Sequence, residues 1–396
     1  MEFGIFILEF MKLSYWEQNT WLSNIDVAIL GSGIVGLNCA LALRDRFPDK
    51  KIVVFERGML PSGASTKNAG FACFGSISEI LEDLTTHSET EVIQLLKNRV
   101  EGLQLLRKHI GGVQLDYRQL GGYELFNTND TDLFEKCVQN IPYVNKLLKN
   151  VFFNEKEVFS VQNDSFSFKN VQKKLIFNRL EGQLDTGKMM LGLIQKCAEK
   201  GVLLLNNAEI TSFSVKNDEI LLEMNNSVKF SAKKVCIATN GFAKQFLDAD
   251  LQPARAQVLV TKPIPNLHIK GTFHLDKGYY YFRNIHNRVL FGGGRNLDFK
   301  TEETTQPGLT ERVQFELEKL LRTTILPNTP FEIDQRWSGI MGVGKQKKPI
   351  VKEVQPNVYC GVRLGGMGVA IGSSVGKQLA HIVQFNSSPE GVLGVL

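Results

Sequence analysis

Short apolar runs and amphipathic segments alternate near the start of the chain. The run DVAIL at residues 26–30 predicts a buried parallel strand, and LNCALALRDRF at residues 37–47 has the apolar spacing of an α-helix. Pro48 and Asp49 end that helix, and KIVVFE at residues 51–56 predicts a second strand. A strand, a helix and a strand of these lengths predict a right-handed βαβ unit.

The spacing of apolar residues changes twice in the middle of the chain. Residues 79–150 carry leucine and isoleucine every three or four positions, which predicts mostly helix. Strands return from VLLLN at residues 202–206 to the apolar run at 235–238, with polar turns at 216–218 and 225–226. Residues 252–335 are rich in β-branched and aromatic side chains and predict an antiparallel sheet, with a hairpin around Asn287 and a helix near 309–322. A strand, a glycine loop and a helix follow at 349–385.

These elements predict an α/β protein of two domains. A Rossmann-type nucleotide-binding domain is expected from residues 25–95, 175–250 and 336–396, and is therefore discontinuous. A second α+β domain, built on the antiparallel sheet, is expected from residues 96–174 and 251–335. Met11 is a candidate internal start, which would make the first ten residues an accessory extension.

Composition narrows the function classes. The 396 residues are 43% hydrophobic and have a net charge of +5. No block of basic residues stands out, and no basic stripe is interleaved with aromatic residues. Neither nucleic acid nor an anionic membrane is therefore expected as a partner. No apolar stretch approaches the length of a membrane span, and the start lacks the marks of a signal peptide. The six cysteines are scattered without metal-ligand spacing, which is typical of buried thiols in a reducing compartment, and the protein is expected to be cytoplasmic and to bind no metal.

The loop GSGIVG between the first strand and helix matches a dinucleotide-binding pattern. Gly31 permits a tight turn, Gly33 lets a pyrophosphate approach the backbone, and Gly36 lets the helix pack close to the sheet. Ile34 and Val35 open the helix, whose free N–H groups face the phosphates. The carboxylate of Glu56, at the end of the second strand and followed by Arg57, is expected to bind the ribose hydroxyls, which disfavours NADP.

Six further segments occur in the order of a known family. They are VVFERGMLPSGASTKNAGF (53–71), EGQLDTGKMMLGL (181–193), KVCIATNGFA (234–243), QPARAQVLV (252–260), RWSGIMG (336–342) and GVRLGGMGVAIGSSVGKQLA (361–380). With them, residues 25–385 resemble the D-amino-acid oxidase-like FAD oxidoreductases, which include glycine oxidase, sarcosine oxidase and D-amino-acid dehydrogenases. The resemblance implies FAD as cofactor. The alternative is an NAD dehydrogenase, and a purified protein without the yellow colour of a flavin would indicate it.

The resemblance also implies where the flavin binds. A second flavin segment supplies hydroxyl, amide and backbone groups from Ser65, Thr66, Asn68, Ala69 and Gly70. The N–H groups of Gly365, Gly366, Met367 and Gly368 open the last helix and can hold negative charge on the ring. Sarcosine oxidase-like members place a cysteine in the region of Ile340 and Met341, and since this chain has none there, FAD is expected to bind noncovalently.

For activity, the resemblance implies hydride transfer from a carbon bearing a neutral amine, in an amino acid or a secondary amine, to the flavin, followed by hydrolysis of the imine. Tyr279 and Tyr281 share one face of a strand and are expected over the flavin. Glycine oxidase-like members bind the substrate carboxylate with an arginine where this chain has Met341. Either another arginine takes over, with Arg363 as the best substitute and Arg283 and Arg336 as weaker ones, or the substrate has no carboxylate at that place. The alternative is a flavin-binding protein with a different or lost activity.

Overall fold

The computed structural model describes residues 13–385 except 154, 156, 217 and 218. The predictions about Met11 and the first ten residues, and most of the turn at 216–218, lie outside these residues. In the described part of the chain, no helix is both long enough and apolar enough to cross a bilayer.

The chain forms strands and helices in an alternating order. The strands are β1 (Ile25–Leu30), β2 (Ile52–Phe55), β3 (Phe71–Ala72), β4 (Gly122–Leu125), β5 (Phe159–Asn163), β6 (Lys174–Asn178), β7 (Gly182–Gln183), β8 (Leu203–Leu205), β9 (Ile210–Lys216), β10 (Glu219–Met224), β11 (Val228–Ile237), β12 (Gln252–Thr261), β13 (Thr272–Leu275), β14 (Tyr280–Ile285), β15 (Arg288–Gly293), β16 (Ile333–Val343), β17 (Ile350–Gln355) and β18 (Val358–Val362). The α-helices are α1 (Tyr15–Glu17), α2 (Ile34–Arg46), α3 (Ala64–Lys67), α4 (Ile77–Thr86), α5 (Glu89–Ile110), α6 (Thr131–Leu148), α7 (Thr186–Glu199), α8 (Phe299–Glu302), α9 (Glu311–Leu320) and α10 (Gly368–Ile382). Turns of 3₁₀ helix lie at Asn240–Gln245 and Arg295–Leu297, and turns of π-helix at Gln18–Leu22 and Leu321–Ile325.

The first sheet has the order β17-β18-β11-β1-β2-β8, and its five strands from β18 to β8 are parallel. Strand β1 is buried on both faces, because Val27 and Ile29 pack against helices α2, α5, α7 and α10 while Ala28 and Leu30 pack against the layer of β9 and β10. The predicted βαβ unit therefore lies at the centre of this sheet, as its uninterrupted apolar strands require.

Glycines let three helices cross closely over the first sheet. A Cβ atom added to Gly102 of α5 would lie 2.1 Å from the carbonyl oxygen of Ala370 in α10. A Cβ on Gly376 of α10 would lie 2.6 Å from the carbonyl oxygen of Val35 in α2. Both distances are far below van der Waals contact, so α10 fits between α2 and α5 only because these positions lack side chains.

The second sheet has the order β16-β12-β15-β14-β13-β4-β6-β5, and all of its pairs are antiparallel except β13 with β4. The predicted hairpin at Asn287 joins β14 to β15, and both turn residues, His286 and Asn287, have positive φ. One face packs Phe273, Phe282 and Phe291 against α9. The α/β class, with a second domain built on an antiparallel sheet, is confirmed.

The structure differs from the sequence-based elements in the second domain. The predicted helical stretch 79–150 contains strand β4, whose four residues are too few to interrupt the helical period of the sequence. The expected domain boundaries at 95, 174 and 335 fall inside α5, β6 and β16, and both of these strands lie in the second sheet. The division into domains stays a prediction.

Candidate functional site

A cavity of about 610 Å³ lies where the two sheets meet. Most residues predicted for the site line it, namely Gly31, Gly33, Ile34, Val35, Glu56, Arg57, Ser65, Asn68, Ala69, Tyr279, Tyr281, Arg363, Gly365, Gly366, Met367 and Gly368. The predicted residues that do not line it are Gly36, Thr66, Gly70 and Arg283. The cavity thus joins the loop after β1, the segment around α3, the loop before α10 and the start of β14.

The glycine loop after β1 is closely packed on its inner side. Gly31 has φ of 99°, in the region that favours glycine. A Cβ on Gly36 would lie 2.0 Å from the Gly31 carbonyl oxygen, so this residue serves helix packing rather than the cavity surface. The Ile34 N–H donates to the Ser65 hydroxyl oxygen at 3.0 Å, which places α3 against the N-terminus of α2. A phosphate group would meet free backbone donors at this helix end.

The carboxylate of Glu56 is buried at the carboxyl end of β2. Its Oε2 accepts from the Ser32 N–H at 3.2 Å and from the Ser32 hydroxyl at 2.7 Å, and its Oε1 accepts from the Gly58 N–H at 2.9 Å. These bonds hold the group at the cavity wall in one orientation. The Arg57 guanidinium lies over the Phe242 ring, with Cζ 3.7 Å from the ring centroid, and leaves its other face at the cavity.

The segment around α3 is shaped by its own side chains. The Asn68 amide donates to the Ser65 carbonyl at 2.7 Å, and its oxygen accepts from the Gly70 N–H at 2.8 Å. The Thr66 hydroxyl donates to the carbonyls of Pro61 and Gly63. Direct cofactor contacts were expected from Thr66 and Gly70, but both lie away from the cavity and fix the course of the loop.

The loop before α10 is open toward the cavity. Gly365 has φ of 57° and its N–H donates to the Gly342 carbonyl at 2.9 Å, which ties the loop to the end of β16. A Cβ added to Gly365 or Gly366 would meet no atom within 4 Å. The loop and the first N–H groups of α10 therefore border free space, where a helix N-terminus can stabilise negative charge.

The opposite wall is aromatic. Tyr280 packs into the core of the second sheet, while Tyr279 and Tyr281 line the cavity. The Phe71 ring makes edge contacts with Tyr281 and with His274, at centroid distances of 5.6 Å and 5.4 Å. Burial raises the pKa of Tyr281 to about 12, so its hydroxyl is protonated at neutral pH.

The two arginines predicted to bind a substrate carboxylate are already bound elsewhere. Arg363 reaches the cavity wall, but its guanidinium donates to the Lys348 carbonyl at 2.8 Å and forms an ion pair with Asp250, also at 2.8 Å. Arg283 lies behind the wall, where it donates to the carbonyls of Ala69 and Leu184. These contacts speak against both predictions as carboxylate ligands, because Arg363 spends most of its donors on Lys348 and Asp250, and Arg283 is held behind the wall and does not line the cavity.

Arg336, the third substitute, is also occupied. Its guanidinium donates to Gln314 and to Glu318, each at 2.6 Å, and it is not part of the cavity. Met341, where glycine oxidase-like members were expected to have an arginine, lines the cavity.

A buried polar group beside the cavity was missed by sequence reasoning. Nε2 of His274 lies 3.6 Å from Oε2 of Glu181, and the other oxygen of Glu181 accepts from the Phe74 N–H at 2.9 Å. Burial alone would lower the pKa of His274, but Glu181 and other nearby carboxylates raise it above its usual value. Cys73 lies in the same group, where burial raises its pKa well above that of a free thiol. Glu181 directly precedes β7 and is more than ninety residues from His274, so no local spacing in the sequence connects the two.

Comparison with known proteins identifies the family of this chain. The model of the DAO family, described as FAD dependent oxidoreductase, matches residues 26–382. The chain belongs to this family of FAD-dependent oxidoreductases. The probable oxidoreductase OrdL of Haemophilus influenzae is 22% identical over 389 residues, covering 92% of this chain and 84% of OrdL.

Two solved structures share the fold at low sequence identity. Glycine oxidase from Geobacillus kaustophilus is 18% identical with a TM-score of 0.72, and the match covers 92% of this chain and 96% of that one. L-proline dehydrogenase from P. horikoshii is 17% identical with a TM-score of 0.69, covering 90% and 92%. FAD is the cofactor of the family. The residues fit it, since a glycine loop without side-chain bulk, a buried carboxylate and a second open helix N-terminus line one continuous space.

Proposed function

We propose that this FAD-dependent oxidoreductase oxidises the carbon next to the nitrogen of a small amine or amino acid. The substrate loses a hydride from carbon and a proton from nitrogen, and the resulting imine is hydrolysed by water. The observation that carries the proposal is the cavity in which the glycine loops of the first sheet face the aromatic wall of the second. In support, two relatives of the same fold are named as a glycine oxidase and an L-proline dehydrogenase.

Different residues of the chain would bind different parts of FAD. FAD supplies the hydride acceptor when it is bound. We assign the pyrophosphate to the loop from Gly31 to Val35 with Ser65, the adenosine ribose to Glu56 beside Arg57, and the flavin ring to Asn68, Ala69 and the loop from Gly365 to Gly368. We expect noncovalent binding, which is supported by Ile340 and Met341 lining the cavity in the region where sarcosine oxidase-like members have a cysteine.

The aromatic wall positions the substrate. Phe71 and Tyr281 hold each other edge to face, so the substrate's reacting carbon would lie in a space with few polar groups. His274 is our candidate for the group that receives the amine proton. With Nε2 directed at Glu181, a proton on Nε2 leaves Nδ1 as the acceptor.

The test is reduction of the flavin by substrate. The purified yellow protein is mixed without oxygen with a panel of primary amines, N-methylated amines, glycine, proline and D-amino acids, and the flavin absorbance is followed. Bleaching by one member, with formation of the matching carbonyl compound, supports the proposal. If dithionite bleaches the flavin and no compound of the panel does, amine oxidation is the wrong reaction.

One observation favours the alternative of a flavin-binding protein without this turnover. Met341 lines the cavity where glycine oxidase-like members use an arginine, and the three expected substitutes are bound to other groups. The same panel decides between the two functions. All six cysteines are free and buried, which supports the predicted cytoplasmic location.

A further inference from the structure

The cavity has a cation that sequence reasoning did not consider. Arg295 lines the cavity in the 3₁₀ turn Arg295–Leu297, directly after β15. Gly293 and Gly294, with φ of 126° and 76°, turn the chain so that the Gly294 N–H donates to the Tyr279 carbonyl at 3.0 Å. A Cβ on Gly293 would lie 2.0 Å from that carbonyl oxygen, so only glycine allows Arg295 to lie beside Tyr279.

The guanidinium of Arg295 has an aromatic support. Its Cζ is 4.7 Å from the centroid of the Phe299 ring, which in turn packs edge to face against Tyr279 at 6.0 Å. Stacking on one face orients the planar fork of donors and leaves its edge available. Tyr279 is 39% exposed, so this corner of the cavity is open to a small molecule.

Two other cations of the cavity have ion-pair partners, whereas Arg295 forms no ion pair among the residues that the structure describes. Lys277 pairs with Glu82 at 3.7 Å, and Arg363 pairs with Asp250. The carboxylate of Glu302, close to Arg295, is fully used by Arg255, Gln257 and Thr310. Burial lowers the pKa of this half-buried arginine, although the nearby Tyr279, Glu302 and Glu303 act in the opposite direction.

We propose that Arg295 binds the carboxylate of the substrate and so takes the place of the arginine missing at Met341. The substrate is then an amine that also carries a carboxylate, which lies at the end of β15 near Tyr279 and not at β16. This inference rests on the proposed function, since it names the substrate class of the same site. A bidentate pair between guanidinium and carboxylate supplies the counter-ion that the protein itself does not.

The first experiment measures anion binding without turnover. Acetate and benzoate are titrated into the FAD-loaded protein by isothermal titration calorimetry, for the wild type, Arg295→Gln, Arg295→Lys and the control Arg312→Gln. Arg312 is an exposed arginine of α9 outside the cavity. We expect the dissociation constant to rise at least about tenfold in Arg295→Gln, with part of the affinity kept in Arg295→Lys and none lost in the control.

Flavin content and melting temperature establish that each variant is folded. Equal binding by the wild type and Arg295→Gln overturns the inference, and so does a wild type that binds neither acid.

The second experiment separates this inference from the proposed function. Amines with and without a carboxylate are compared in pairs, such as proline with pyrrolidine, by the rate of anaerobic flavin reduction. A higher KM for proline alone in Arg295→Gln supports the inference. Equal reduction of the wild type by both members would retain amine oxidation and refute Arg295 as the carboxylate ligand. If benzoate binding depends on Arg295 and no amine reduces the flavin, the anion site stands and the proposed reaction fails.

Discussion

Replacing Gly36 by alanine should damage the cofactor site through packing alone. The new Cβ would lie 2.0 Å from the Gly31 carbonyl oxygen, and real Cβ atoms essentially never approach an atom closer than 3.0 Å. The position of this Cβ is fixed by the backbone of α2, and its partner is a backbone carbonyl. Helix α2 must therefore move away from β1 by about 1 Å to relieve the clash. Overpacking of this kind costs about 1–3 kcal/mol, and we expect the upper end of that range here.

The displacement also moves the N-terminus of α2, where Ile34 and Val35 line the cavity. If the whole of about 3 kcal/mol appeared in FAD affinity, the dissociation constant would rise by about 100-fold. We expect the loss to be shared between affinity and folding, so Gly36→Ala should be purified with less flavin and should melt at a lower temperature.

The control is Gly112→Ala, because a Cβ at Gly112 would meet nothing within 4 Å and the residue is outside the cavity. The assay compares the flavin-to-protein absorbance ratio, the FAD dissociation constant of the apoprotein, and the melting temperature with and without added FAD. A Gly36→Ala protein that matches Gly112→Ala in all three would refute the reasoning, since the clash would then be relieved at no cost.

Three further predictions concern buried carboxylates. Glu56→Gln should raise the FAD dissociation constant by about tenfold or more in apoprotein titrations, since charge-assisted hydrogen bonds contribute about 1.5–3 kcal/mol; unchanged affinity would speak against the ribose assignment. Glu302→Ala leaves the buried Arg255 without its partner and should lower the free energy of unfolding in urea by about 3–5 kcal/mol, whereas the exposed Glu332→Ala should cost less than about 1 kcal/mol. Burial raises the pKa of Glu124 from 4.5 to about 7, so the folded state keeps a proton that the unfolded chain releases between these values. The free energy of unfolding should therefore fall as the pH rises through that window, and Glu124→Gln should flatten the fall, as melting curves at several pH values would show.

The first sheet was predictable because its signals are local. The glycine loop, its strand and its helix lie within some thirty residues, and each glycine has a separate steric reason that the structure reproduces at Gly31 and Gly36. The loop from Gly365 to Gly368 was identified because its segment follows the other family-like segments in the order in which the family has them. Both loops border the same cavity, as two helix N-termini serving one cofactor should.

The substrate side was less predictable because its contacts join distant parts of the chain. Arg363 matched a family position, but its partner Asp250 lies more than a hundred residues earlier and leaves no mark in the local pattern. Arg295 follows three glycines, and only the pairing of β14 with β15 reveals that it lies beside Tyr279. The parallel pairing of β13 with β4 likewise brings a strand from the predicted helical stretch into the second sheet.

The crossing of α2 and α10 connects the two halves of the cofactor site. A Cβ on Gly372 of α10 would lie 2.4 Å from the side chain of Ile34, and one on Gly376 would lie 2.6 Å from the Val35 carbonyl oxygen. The absence of side chains at these positions therefore sets the distance between the two helices, and with it the distance between the phosphate-binding loop and the loop at Gly365. Because one FAD molecule has to reach both loops, this spacing determines which conformation of FAD can be bound at both ends at once. The C-terminal helix thus determines the fit of the cofactor through its packing as well as through its N-terminal N–H groups.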